Sequence, residues 1–173
     1  MKQKLLLFII LLMYLNSFAQ SSKTVCDILI DPEYKGSIPV FDSPGGKSFK
    51  MIKQDFKNED YLVFSILNQT SGFFYGTLTY SISGKAVKGW VKKATYIGTY
   101  ARNYAPGTKL NLYLNPTEKS GINSIVPDWT NKLYEVTSFD KDWVYVKIVY
   151  NGKLKQGWLA PDMQCSNPYT TCN

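Results

Sequence analysis

Residues 147–158 read KIVYNGKLKQGW, and residues 79–90 read TYSISGKAVKGW. Both stretches pass from a β-branched and aromatic segment through a glycine turn and a lysine to a closing Gly-Trp pair. Such segments favour strands, and Asn-Gly between two of them predicts a hairpin, because a type I′ turn needs positive φ at both central residues. Ser83-Gly84 is predicted to turn the first copy in the same way. The chain is therefore expected to build one kind of hairpin twice.

Side chains of the clearest strand, residues 143–150, alternate between two faces. The aliphatic ones share one side: Val144, Val146 and Ile148. Trp143 and Tyr145 lie on the other side, because successive side chains of a strand point to opposite faces. The aliphatic side is expected to be core. The aromatic side is expected to face outward.

The similarity between the two stretches extends upstream. IPVFDSPGGK at 38–47 aligns in sequence with LNLYLNPTEK at 110–119. When the two Gly-Trp ends are aligned, Tyr75 matches Trp143. Short strand patterns separated by turn residues fill the rest of the chain, which is typical of all-β proteins. Two units of about 60 to 70 residues each are predicted, a workable size for small closed barrels.

In order, each copy has an apolar strand with an aromatic residue, a proline, a variable loop, a strand, a glycine turn and a closing Gly-Trp, and in the second copy the strand after the loop contains Trp143. This order of features resembles the bacterial SH3-like (SH3b) domain. The marks are LNLYLNPTEKS at 110–120, DWVYV at 142–146 and NGKLKQGWL at 151–159, with the echoes PVFDSPGGK and SGKAVKGWV in the first copy. The resemblance implies an all-β fold with two tandem small SH3-like β-barrels. It also implies binding of cell-wall peptide or glycan, or docking of an enzyme onto the wall.

The two Gly-Trp pairs have a structural explanation. Gly89 and Gly157 would let a strand bend sharply at a barrel corner. Trp90 and Trp158 would then cap the core with a large apolar area. We therefore expect these four residues to maintain the fold rather than to bind a ligand.

Residues 1–19 have the form of a secretory signal peptide. Two lysines precede an apolar run over residues 5–15, and Ser17-Phe18-Ala19 supplies small residues for cleavage before Gln20. As a helix this run covers about half of the hydrocarbon thickness, which argues against a membrane anchor. A lipid anchor on Cys26 is disfavoured because the residues before it lack the small side chains of a lipobox. A periplasmic or secreted protein without membrane attachment is predicted.

Removing the signal leaves three segments. Residues 20–97 form the first predicted barrel with an N-terminal extension, 98–107 a short tyrosine-rich linker, and 108–173 the second barrel with a C-terminal cysteine tail. The whole chain has 20 basic and 13 acidic side chains, and without the two lysines of the signal the balance is 18 to 13, or +5. The positive charges are scattered and nearly all lysine, so a nucleic-acid partner is not expected.

Three cysteines, Cys26, Cys165 and Cys172, follow the signal, and an oxidising compartment predicts at least one disulfide. All three pairings are open at this stage. A bridge that includes Cys26 is favoured, because joining distant segments restricts the unfolded chain most. The chain has no histidine and its cysteines lack CxxC spacing, so no metal site or cofactor is expected.

Catalysis is not expected. The lack of histidine removes the common nucleophile–base pairs, and the clearest acids, Asp140 and Asp142, occur where a hairpin needs a polar turn. Loss of turnover on changing either aspartate would indicate an enzyme instead.

Binding through aromatic faces is the preferred interpretation, with cell-wall peptide or glycan as the partner. A protein adaptor or an inhibitor of an exported enzyme is the alternative, and the same aromatics could instead form the interface between the barrels. The candidate ligand-binding residues are Tyr75, Tyr113, Trp129, Tyr134, Trp143 and Tyr145.

Overall fold

The computed structural model describes residues 26–170 and 172, so the predicted signal peptide lies outside the described residues. The strands are β1 Cys26–Ile30, β2 Ile38–Phe41, β3 Ser48–Ile52, β4 Leu62–Gln69, β5 Phe73–Tyr80, β6 Ala86–Lys92, β7 Ile97–Ala101, β8 Leu110–Tyr113, β9 Ile122–Val126, β10 Tyr134–Asp140, β11 Trp143–Tyr150, β12 Lys153–Leu159 and β13 Gln164–Cys165. A 3₁₀ turn, Pro161–Met163, precedes β13. In this part of the chain no helix is long and apolar enough to span a membrane. The prediction of an all-β fold is confirmed.

The strands form one open antiparallel sheet. Its order is β3-β2-β6-β5-β4-β1-β7-β10-β11-β12-β8-β9, with β13 beside β7. We call β1–β6 the first half and β7–β12 the second half. Read inward from each end of the sheet, the first half has the order β3-β2-β6-β5-β4-β1 and the second half has the order β9-β8-β12-β11-β10-β7. The two halves therefore share one strand arrangement. The halves join where Leu29 pairs with Gly98 and Ile30 with Ile97. The segment 98–107, predicted to be a linker, thus begins inside a central strand.

The second hairpin has the predicted two-residue turn. Tyr150 pairs with Lys153, and Asn151 and Gly152 have φ of 47° and 74°. In the first hairpin Thr79 pairs with Ala86, so the turn spans residues 80–85 and is longer than Ser83-Gly84 alone.

This longer turn shifts the correspondence between the two copies. Tyr75 pairs with Trp90 just as Tyr145 pairs with Trp158. The predicted match of Tyr75 to Trp143 is therefore wrong, and Tyr75 corresponds to Tyr145.

One hydrophobic core runs through both halves. Val144 and Val146 are fully buried and Ile148 is 5% exposed, which confirms the predicted inner face of β11. Phe64 on β4 and Tyr134 on β10 occupy corresponding positions, and both are fully buried in the same cluster. The cluster also includes residues of the central strands β1 and β7, so the core continues across the junction.

Polar contacts also tie the halves together. The Gln69 amide donates to the Phe139 carbonyl oxygen (2.7 Å), and the Ser138 hydroxyl donates to the Gln69 amide oxygen (3.2 Å). The Lys93 ammonium donates to the Thr137 carbonyl oxygen (2.8 Å) and to Gln69 Oε1 (3.1 Å). Burial lowers the pKa of Lys93. The bonds to Phe139, Ser138 and Thr137 cross from the first half to β10, so they fix the two halves relative to each other.

The disulfide joins Cys165 to Cys172, and the preference for a bridge that includes Cys26 is wrong. Cys26 begins β1 and is 4% exposed, with its sulfur 3.8 Å from Gln164 Oε1. Its place inside the sheet keeps it in the core, whereas Cys172 folds back along the tail. The predicted disulfide is therefore present, and the remaining thiol is Cys26.

The disulfide loop carries Tyr169 onto the first half. The Tyr169 hydroxyl donates to the Glu59 carbonyl oxygen (2.8 Å) and shares a hydrogen bond with Ser81 Oγ (2.7 Å). Its ring centroid lies 5.5 Å from that of Tyr61. The C-terminal tail thus fastens the second half to the turn region of the first.

Cys26 is expected to be chemically silent in the folded protein. Burial raises the pKa of its thiol to about 12, with Asp27 and Asp142 adding to the shift, so the reactive thiolate is scarce at neutral pH. Iodoacetamide should leave the native protein unlabelled and add one label per chain after unfolding without reductant. Rapid labelling of the native protein, or labelling at Cys165 or Cys172, would contradict this.

Candidate functional site

Strand pairing lines up aromatic rings on the outward face of the second half. Trp158 on β12 pairs with Tyr113 on β8 on one side and with Tyr145 on β11 on the other. The Tyr145 and Trp158 ring centroids are 5.5 Å apart, and those of Tyr113 and Trp143 are 5.7 Å apart, both edge to face. We call Tyr113, Trp143, Tyr145 and Trp158 the second aromatic row.

The first half has the same arrangement. Trp90 on β6 pairs with Phe41 on β2 and with Tyr75 on β5. The Tyr75 and Trp90 centroids are 5.1 Å apart, and those of Phe41 and Phe73 are 5.6 Å apart. We call Phe41, Phe73, Tyr75 and Trp90 the first aromatic row. Each member corresponds in strand position to one member of the second row.

The glycine before each tryptophan brings the strands of a row together. A Cβ on Gly157 would lie 2.9 Å from the Leu112 Cβ and 2.9 Å from the Tyr113 carbonyl oxygen. A Cβ on Gly89 would lie 2.9 Å from the Phe41 carbonyl oxygen. No side chain fits either gap, so only glycine lets β8 and β2 approach closely enough to pair with the following tryptophan. The close approach gives both glycines a structural role, and the predicted sharp bend at a barrel corner stays a prediction.

The tryptophans lie on the opposite face from the one predicted. Trp90 and Trp158 are half-buried and stand outside the buried core cluster. The alternation of a strand explains this, because Gly89 and Gly157 face inward and are buried, so the next side chain points outward. Their large rings therefore belong to the outer aromatic rows and do not cap the core.

The rows present partly open aromatic surface. All eight side chains are half-buried, and exposed apolar side chains adjoin them. Ile122, which pairs with Tyr113, is 48% exposed, and Leu114 is 53% exposed. Near the first row, the Lys88 ammonium lies 5.5 Å from the Tyr75 ring centroid, within the range of a cation–π contact. Such surfaces can stack on a sugar ring or a peptide plane.

Two predicted ligand contacts do not join the rows. Trp129 is half-buried and packs against the core cluster, and its backbone N–H donates to Asp128 Oδ1 (2.7 Å). Tyr134 is fully buried at the start of β10, where it pairs with Thr99. It cannot reach a surface ligand, because it shares the inward face of β10 with Val136. Phe41 and Phe73 are row members that sequence reasoning missed, although Phe73-x-Tyr75 repeats the spacing of Trp143-x-Tyr145.

Tyr134 is expected to make stability fall at alkaline pH. Burial, together with the neighbouring phenols of Tyr104 and Tyr150, raises its pKa above the ordinary value of 10.0. The unfolded chain therefore ionises first, so the stabilisation is complete below about pH 10 and declines as pH rises above it. Tyr134→Phe, which copies the corresponding Phe64, should flatten the decline of unfolding free energy above pH 10. An unchanged slope in urea titrations at several pH values would contradict this.

The acidic side chains of Asp60, Asp140 and Asp142 have structural roles. Asp60 is 5% exposed and accepts hydrogen bonds from the backbone N–H groups of Ile82 (2.7 Å) and Ser83 (3.1 Å). Burial alone would raise its pKa, but these bonds and the Ser83 hydroxyl outweigh burial and lower it. Asp140 and Asp142 are exposed on either side of the β10–β11 turn. Asp60 thus holds the 80–85 turn, and the other two supply polar turn positions.

No family model matches the sequence, and no curated protein matches it. Among solved structures, "Structure of NlpC1 from Trichomonas vaginalis" is similar to this chain with a TM-score of 0.30 and 17% identity. The similarity covers 84% of this chain and 47% of that one, so the chain spans about half the length of NlpC1. A similarity this weak does not bear on function.

Proposed function

We propose that the protein is an exported, non-catalytic binding module that recognises cell-wall peptide or glycan through its aromatic rows. The observation that carries this proposal is the occurrence of four aromatic side chains on the outward face of each half, in matching strand positions. Half-buried aromatic rings fixed by strand pairing give contact area with little loss of side-chain freedom on binding.

Each half is proposed to be an SH3-like unit, joined to the other at β1 and β7. The shared strand order, the equivalent Gly-Trp pairs and the corresponding bulges in β2–β3 and β8–β9 support this interpretation. Export is supported by the predicted signal peptide and by the Cys165–Cys172 disulfide, since structural disulfides persist in oxidising compartments.

Co-sedimentation with purified peptidoglycan tests the proposal. The double variant Trp143→Ala/Tyr145→Ala should weaken binding at least about tenfold, because the two rings supply much of the second row. Leu154→Ala is the matched control, since Leu154 is 58% exposed on β12 but lies outside the row. Thermal melts would establish that all variants fold. Equal sedimentation of the double variant and the wild type would contradict a role for the row.

A protein partner is the second candidate. Strand β3 ends the sheet, and it carries Phe49 and Met51, which are 56% and 55% exposed. An exposed apolar edge strand can accept an extended segment of another protein. Co-purification of one exported protein at fixed stoichiometry, lost in Phe49→Lys but kept in Trp143→Ala/Tyr145→Ala, would favour this adaptor role over wall binding.

A further inference from the structure

The geometry points to two equivalent binding sites, one on each aromatic row, that together hold one repeating acidic polymer, such as an acidic glycan or glycopeptide. This inference rests on the proposed function and specifies the ligand class. A single-copy protein surface would engage one row, whereas a polymer offers the same unit many times. Two matched sites in one chain therefore suit a repeating ligand.

The equivalence of the rows lies in strand position, and two of the four positions also keep the same residue type, Tyr75 with Tyr145 and Trp90 with Trp158. In each half, the tryptophan after the buried glycine pairs with the tyrosine of the neighbouring long strand, Tyr75 with Trp90 and Tyr145 with Trp158. The other two rings of each row meet edge to face, with centroids 5.6 Å apart for Phe41 and Phe73 and 5.7 Å apart for Tyr113 and Trp143. A ligand unit that fits one row meets rings in the same order on the other.

Both rows lie on the face of the sheet opposite the core. The register of the central strands places both rows on the same face of the sheet, since Ser65 pairs with Asp27, Leu29 with Gly98, and Gly98 with Glu135. Leu29 and Gly98, at the middle of this face, are buried. The rows are separated by strands β4, β1, β7 and β10, or about 24 Å along the sheet at 4.8 Å per strand. One extended polymer or two neighbouring strands of a network can span that separation.

The pair of residues next to each row contains one lysine. Thr77 pairs with Lys88 beside the first row, and Lys147 pairs with Gln156 beside the second. These side chains share the outward face with the rings, because they stand two residues from row members on the same strands. At the far end of the second row, Asp140 and Asp142 flank Lys141 in the turn.

The lysines specify the charge of the ligand. A positive charge beside a stacking surface complements a unit that carries an acidic group next to a ring. The formal charge of +5 that remains without the predicted signal peptide favours an anionic polymer in the same way.

Binding two units of one polymer makes the second contact intramolecular, which raises the apparent affinity without new contacts. Matched variants separate the sites: Phe73→Ala/Tyr75→Ala removes two rings of the first row, and Trp143→Ala/Tyr145→Ala removes the corresponding two of the second. Each variant is measured by co-sedimentation with intact peptidoglycan, and by calorimetry with soluble disaccharide-peptide fragments released from it by a muramidase.

The wild type should bind two fragments per chain, and each variant one, with a similar Kd. Affinity for intact peptidoglycan should fall roughly 100-fold in either variant. Lys88→Gln/Lys147→Gln should weaken fragment binding several-fold without changing its stoichiometry. One fragment per wild-type chain, or full polymer affinity in one of the ring variants, would overturn the two-site inference alone. Failure of the wild type to bind polymer and fragment would overturn the proposed function.

Discussion

Replacing Gly157 with alanine is expected to lower the free energy of unfolding by about 3 kcal/mol, from strained backbone and an overpacked contact that each contribute about 1 to 3 kcal/mol. Gly157 has φ of +151°, and the new Cβ would meet the Leu112 Cβ and the Tyr113 carbonyl oxygen at 2.9 Å. Strand β8 must then move away from β12, which separates Tyr113 from Trp158. Urea denaturation followed by tryptophan fluorescence measures the loss.

Gly152→Ala is the matched control on the same hairpin. Gly152 also has positive φ, +74°, but nothing lies within 4 Å of the added Cβ, so the loss should stay near 1 kcal/mol. Equal losses in the two variants would show that backbone conformation alone requires Gly157, and that the close approach of β8 has no energetic weight.

The variant Phe64→Ala is expected to lower the free energy of unfolding by about 3 to 5 kcal/mol. The Phe64 side chain is fully buried on β4, and its ring meets the Phe74 ring edge to face with centroids 6.5 Å apart. Because the core and the sheet continue through β1 and β7 into the second half, the loss should shift one cooperative transition of the whole chain. Fluorescence and far-ultraviolet circular dichroism should therefore give the same midpoint in urea.

Phe49→Ala provides the comparison, since Phe49 is 56% exposed and its removal should change stability by about 0.5 kcal/mol or less. Two separate transitions in Phe64→Ala, with the second half unfolding at the wild-type midpoint, would contradict a shared core. Such a result would mean that the halves fold as independent barrels.

Local signals made the strands and the second hairpin predictable. The alternation at Val144, Val146 and Ile148 identified the inner face of β11, and Asn151-Gly152 identified the turn, because both depend on neighbours in sequence. The same alternation placed Trp143 and Tyr145 outward. The aromatic side chains of the candidate site on β11 were therefore accessible to sequence reasoning.

Long-range pairing was not accessible in the same way. Nothing local indicates that β1 pairs with β7 and joins the halves, since both strands are short and their partners are distant in sequence. The 80–85 turn is held by Asp60, which lies between β3 and β4 and accepts hydrogen bonds from the backbone N–H groups of Ile82 and Ser83. The sequence does not show that this turn is longer than the one in the second hairpin. Tyr75 was therefore matched to Trp143 instead of Tyr145, and Phe73 was not recognised as the counterpart of Trp143.

Burial also separated similar-looking aromatics. Tyr134 and Tyr145 both lie in alternating strands, but Tyr134 shares the inward face of β10 with Val136 and is fully buried. Trp129 packs against the core from a loop. Alternation was enough to place Trp143 and Tyr145 on the surface, whereas the burial of Tyr134 and Trp129 became visible only in the folded structure.

The four tryptophans of the chain allow ligand binding to be read directly by nuclear magnetic resonance. In ¹⁵N-labelled protein, soluble disaccharide-peptide fragments of peptidoglycan should shift the indole N–H signals of Trp90, Trp143 and Trp158, which belong to the aromatic rows. The signal of Trp129, which packs against the core, should stay in place. Shifts confined to Trp129, or no shift in the three row signals at saturating fragment, would contradict recognition through the rows.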